Sequence, residues 1–207
     1  MKTIVFQGDS ITDATYPRQY PTELGNGYVT MTAGRITYAH PGKYQCLNRG
    51  VSGNRSVDMY ARIKKDVLNL KPDILTVLIG VNDVWHECSS GNGVDAGKFE
   101  MILRLFLREV LDALPDCRIF ILEPFVLPGH ATQEHLDTFL REVPLRALAC
   151  KRVAESFSLP FVPLQEKLEA LAAQTEPAYV LHDGVHPTSA GHYLISQALY
   201  EALESVL

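Results

Sequence analysis

The chain has 207 residues, 46% hydrophobic and 21% charged, which suits one domain over 1–207 with a full core. A formal net charge of −5 argues against nucleic acid or an anionic membrane as the main partner. No apolar stretch reaches the length of a membrane span, and the N-terminal run lacks signal-peptide form, so a cytoplasmic protein is expected.

Short apolar runs at 3–6, 44–47, 74–79, 118–122 and 160–162 lack polar alternation, as in strands buried on both faces. Helical spacing separates them. Val57, Tyr60, Ala61, Val67 and Leu68 mark one helix, with Lys64 interrupting its stripe. Phe99, Ile102, Leu103, Phe106, Leu107, Val110, Leu111 and Leu114 mark a second, strongly one-faced helix. A last helix runs through Leu194, Ile195, Ala198, Leu199, Ala202, Leu203 and Val206, with Thr188 or Ser189 as its cap. The βα alternation predicts an α/β fold: a three-layer α/β/α sandwich around a flavodoxin-like five-stranded parallel sheet. The stretch 89–93, rich in Ser, Gly and Asn, reads as a mobile loop after the third strand. Cys46 and Cys117 lie at predicted strands and are expected in the core rather than in disulfides.

Four polar motifs fall where such a sheet places its ligands. Gly8-Asp9-Ser10-Ile11 ends the first strand. It reads either as a helix cap or as an exposed serine backed by backbone N–H groups. Asn48 to Asn54 follows the second strand, and Gly80-Val81-Asn82-Asp83 follows the third. Both offer glycine N–H and asparagine amide donors, and both also suit ordinary turns. Asp183-Gly184-Val185-His186-Pro187 precedes the last helix. Asp183 either bonds its own backbone or holds His186 in one tautomer.

In that order the four blocks resemble the SGNH hydrolases, also called the GDSL esterase/lipase family. Ile11 stands where the name motif usually has Leu. The resemblance implies Ser10 as nucleophile, His186 as base and Asp183 as its orienter. It implies an oxyanion hole of the Ser10 N–H, the Gly53 N–H (rather than Gly50) and the Asn82 side chain. The implied reaction is acyl transfer from a small-molecule ester, with water resolving an acyl-enzyme. No cofactor and no metal is expected, and none of the seven histidines is read as a zinc ligand.

Substrate contacts are read more loosely. Trp85, the one tryptophan, is placed at the lip of the site. Phe125, within 123–128, is placed in a pocket wall. Asp13 and Arg55 are read either as contacting a polar substrate or one another, or as structural members of an ion-pair network at the edge of the site. The preferred substrate is an acetyl ester of a carbohydrate or other polar alcohol. Relatives resembling lysophospholipases and thioesterases supply the alternative, a longer acyl chain. Two further classes are a flavodoxin-like ligand-binding module and a metal-dependent phosphoesterase using Asp9, Asp183 and His186. An oligomer is possible, but no residue specifies one.

Overall fold

The structure, a computed structural model, describes residues 1–15, 17 and 23–207. Among these, five strands form one parallel sheet: β1 (Lys2–Gly8), β2 (Tyr44–Gly50), β3 (Ile74–Leu78), β4 (Arg118–Leu122) and β5 (Phe161–Val162). Their order is β2-β1-β3-β4-β5, the flavodoxin-type winding. The register pairs Gly8 with both Gly50 and Leu78. The carboxyl ends of the three central strands are therefore level, and the polar motifs that follow them leave the sheet along one edge.

The helices are α1 (Ser10–Asp13), α2 (Tyr28–Ala39), α3 (Ser56–Ala61), α4 (Ile63–Asp66), α5 (Val81–Ser90), α6 (Ala96–Ala113), α7 (Leu136–Ser156), α8 (Gln165–Ala172), α9 (Pro177–Val180) and α10 (Ser189–Leu203). Alternate residues of β1 face opposite layers, as strand geometry requires. Ile4 and Phe6 join a core with Tyr28, Ile36, Ile195 and Leu199 from α2 and α10. Val5 joins a second core with Met59, Phe99, Leu103 and Phe106 from α3 and α6. The α7 helix contributes to both, through Phe139 and Val143 on one side and Cys150 and Val153 on the other. Cys46 and Cys117 are buried, and all four thiols are free.

Two expectations change. The predicted helix around residues 57–68 is broken into α3, α4 and a 3₁₀ turn at Leu68–Leu70. The stretch 89–93 is no free loop. Ser89 and Ser90 finish α5, and Gly91 caps it in the left-handed region at φ 64°, where glycine carries no Cβ penalty. Asn92 N–H donates to His86 O, and Gly93 N–H donates to Glu87 Oε2. Arg55 Nη1 donates to Asn92 O.

Candidate active site

The Gly8-Asp9-Ser10 turn serves both purposes the sequence left open. Asp9 is the N-cap of α1, and its Oδ1 accepts from Ile11 N–H at 3.0 Å. That cap fixes the first turn and leaves Ser10 at its start, partly exposed. The second turn is likewise double. Asp183 Oδ1 accepts from the N–H groups of Val185 and His186, while Oδ2 lies 2.6 Å from His186 Nδ1. One oxygen folds the loop and the other aims the imidazole. The far side of that ring, Nε2, lies 2.9 Å from Ser10 Oγ. Residues 176 positions apart thus form a continuous Asp–His–Ser hydrogen-bond chain.

Electrostatics favour a basic His186. Its hydrogen bond to Asp183 raises the imidazole pKa above 6.5, partial burial opposes, and the charges of Asp183 and Asp9 add to the rise. Burial works to raise Asp183, but hydrogen bonds from the His186 ring and from two backbone N–H groups override it and hold the carboxyl low. His192 also borders the site. Its Nδ1 accepts from Tyr28 N–H at 3.2 Å. Burial pushes it down to about 4 and neighbouring His186 and His182 add to that shift, so it stays neutral where His186 titrates. Asp9 is pushed up to about 7 by burial, against its hydrogen bond from Ile11 and the charge of His186. Its Oδ2 has no hydrogen-bond partner among the described residues.

The two intermediate motifs form a braced scaffold. Arg62 Nη2 donates to Gly8 O, Nη1 to Gln7 Oε1, Arg49 O and Asp66, and Nε to Asn54 Oδ1. It ties the strand before Ser10 to the turn after β2. Asp83 accepts from Ser56 N–H and Oγ–H, joining the third motif to α3. Gly53 sits at φ 79°, a conformation glycine adopts freely. Neither its N–H nor that of Ser10 takes a partner among the described residues. Asn82 is buried, and its Nδ2 spends one donor on Asn54 O at 3.1 Å. An amide nitrogen carries two.

The expected substrate contacts fare differently. Trp85 lies on α5, edge-on to Phe139 and 5.9 Å from the His186 ring centroid. Phe125 does not line a pocket: it is completely buried in the sheet–helix core, with Val126 and Leu127 beside it. Asp13 is buried, and its Oδ2 accepts from Ser52 N–H and Oγ–H. Arg55 does not meet it, since its guanidinium is taken by Asp58 and Asn92 O. Both side chains brace the scaffold. A cleft of about 410 Å³ opens beside Ser10, bordered by Asn26, Ser52, His182, Ser189 and His192. The sequence reading passed over His182, although it stands four residues before His186 in an H-x-x-x-H pattern.

An Asp–His–Ser chain at the carboxyl edge of an open α/β sheet can activate an oxygen nucleophile, and the class the fold and its relatives define is the carboxylic ester hydrolases. The chain belongs to the GDSL-like lipase/acylhydrolase family, whose model matches residues 6–194. An acetylxylan esterase of Geobacillus stearothermophilus is 30% identical over 204 residues, covering 94% of this chain and 90% of that one. A solved acetylxylan esterase from the same organism superposes with a TM-score of 0.87 at 29% identity, over 98% of this chain and 94% of that chain. Its solved forms include catalytic mutants in which a serine or an aspartate is replaced by alanine. A GDSL-like protein from Parabacteroides merdae superposes with a TM-score of 0.92 at 32% identity, over 97% and 94% of the two chains.

Proposed function

We propose that the chain removes small acyl groups, acetyl above all, from a carbohydrate or similar polar alcohol through an acyl-enzyme on Ser10. The observation that carries this reading is the Ser10–His186–Asp183 relay, with contacts of 2.9 and 2.6 Å. Ser10 Oγ attacks the ester carbonyl as its proton passes to His186 Nε2. Asp183 steadies the imidazolium that forms. The carbonyl oxygen becomes an oxyanion, met by the N–H groups of Ser10 and Gly53 and the remaining Asn82 donor. Loss of one such donor typically costs about 2.7–4 kcal/mol of barrier. Collapse breaks the ester bond, and the alcohol leaves with the proton from His186. Water, deprotonated by the same imidazole, then releases acetate and frees Ser10.

The acetylxylan esterase that aligns over nearly the whole chain supports the small acyl group; the cleft itself mixes Asn26, Ser52 and three imidazoles with Ile11, Ala14 and Pro187. The test is a chain-length series at fixed alcohol, with acetylated xylo-oligosaccharides as a second panel. We expect kcat/KM to be highest for acetyl and to fall by octanoyl, with acetate released from the oligosaccharides. Faster cleavage of octanoyl esters would replace this reading with that of a longer-chain acylhydrolase.

A further inference from the structure

Among the described residues, one cluster brings three metal-ligating side chains together: His182, Asp183 and His186, each offering one ligand atom within 4.8 Å of the others. His182 Nδ1 lies 4.0 Å from Asp183 Oδ2, and His186 Nδ1 lies 2.6 Å from the same oxygen. The two imidazole rings stack at 5.8 Å with 16° between their planes. The backbone holds them in this relation. His182 N–H donates to His186 O at 3.0 Å, and Leu181 bridges Pro187 across the base of the turn.

We infer that His182, Asp183 and His186 form a zinc-binding site, and that a zinc ion seated there reversibly switches the esterase off. The donor set is that of a three-ligand zinc site, two imidazoles and a carboxylate with water completing the tetrahedron. Bonds of about 2.0–2.2 Å place tetrahedral ligands about 3.3 Å apart. His182 Nδ1 must therefore close on Asp183 Oδ2 by less than an ångström from 4.0 Å, and on the His186 ligand nitrogen from within 4.8 Å, and its side chain is 58% exposed. The His186–Asp183 contact must open by a similar amount, because the ion takes the place of the shared proton.

The consequence for the relay follows from proton accounting. Neutral His186 carries one ring proton, on Nδ1 toward Asp183, and keeps its lone pair at Nε2 for Ser10. Zinc at Nδ1 moves that proton to Nε2, where it blocks acceptance from Ser10. That bond removes the base without altering Ser10. Inhibition rests on the function proposed above, whereas the binding site does not.

The experiment therefore has two readouts. Chelator-treated protein is titrated with zinc chloride alone, by calorimetry without substrate and by hydrolysis of p-nitrophenyl acetate. We expect one zinc per chain, loss of hydrolysis along the same isotherm, and recovery on adding EDTA. His182→Asn and His182→Gln should each weaken zinc by about tenfold or more in both readouts, every variant being compared with its own metal-free rate. Unchanged zinc affinity in both variants would overturn the site. Bound zinc that leaves hydrolysis unchanged, or accelerates it, would overturn the switch. If the protein cleaves no ester at all, the function fails and calorimetry still decides the site.

Discussion

At the scale of single residues, the carboxylates beside the relay each perform two tasks. Asp183 folds its loop with one oxygen and aims His186 with the other, while Asp9 caps α1 and adds to the basicity of His186. A helix cap and an exposed serine therefore compete as readings of the sequence but coexist in the molecule. The pH dependence follows from the direction of the His186 shift. The imidazole accepts a proton from Ser10 only when neutral, and Asp183 raises its pKa above 6.5. The acid limb of kcat/KM should therefore have its midpoint above 6.5, with activity rising as pH rises through it. Asp183→Asn removes the largest cause of the shift and the preferred tautomer. It should move that limb to lower pH and reduce kcat by about 10⁴-fold. A limb left in place by Asp183→Asn, or one below 6.5 in the parent, would contradict this assignment. Buried Asp9 has the opposite linkage from a paired surface carboxylate. Its folded pKa lies near 7, above the ordinary 3.8, so the folded state holds a proton the unfolded chain gives up. Its contribution to stability declines between those values as pH rises. Asp9→Asn, which keeps an oxygen for Ile11 N–H, should flatten that decline in urea midpoints measured across the window. An unchanged slope would contradict it.

At the scale of elements, Ser10 is held by the way α1 lies against the end of β2. An added Cβ on Gly50 would come within 2.1 Å of Asp13 N and 2.6 Å of Thr12 C. Both are backbone atoms, so side-chain movement cannot relieve the clash. Gly50→Ala should lift α1, cost about 1–3 kcal/mol of stability as overpacking does, and lower kcat by up to about 10²-fold through misplacement of Ser10. Urea unfolding and steady-state kinetics check both; wild-type values for the two would show that α1 is not held there. The same scale explains which helices the sequence revealed. The α6 stripe is built of Phe, Leu, Ile and Val and is plain. In α7 the buried face mixes Phe139, Val143 and Val153 with the small Ala147, Ala149, Cys150 and Ala154 and a buried Arg146, with Pro144 inside the helix, so its periodicity is less plain. The α2 stripe includes Thr32, buried because its hydroxyl bonds Ser196 on α10. That pairing is tertiary and leaves no local trace. The Gly/Asn run after Trp85 reads as mobile because composition cannot reveal the bonds from His86, Glu87 and Arg55 that fix it.

At the scale of the whole molecule, parallel strands of matched register bring the ends of β1, β2 and β3 to one edge. Order along the chain was therefore enough to group Ser10, Gly53 and Asn82, and the last loop adds Asp183 and His186. The cleft walls were less legible. Asn26 precedes α2, His182 stands immediately before the fourth motif, and Ser189 and His192 lie on α10; none belongs to the four motifs. Phe125 follows a strand at the correct edge, yet its side chain turns into the core, a direction that chain order does not encode. Among the described residues no helix is long and apolar enough to cross a membrane. The central claim is that Ser10 carries the acyl group, and p-nitrophenyl acetate hydrolysis by the parent and by Ser10→Ala, both in EDTA, tests it most directly. The account predicts a fall of about 10⁴-fold or more in kcat for a folded Ser10→Ala. A variant that hydrolyses the ester at the parental rate would contradict it.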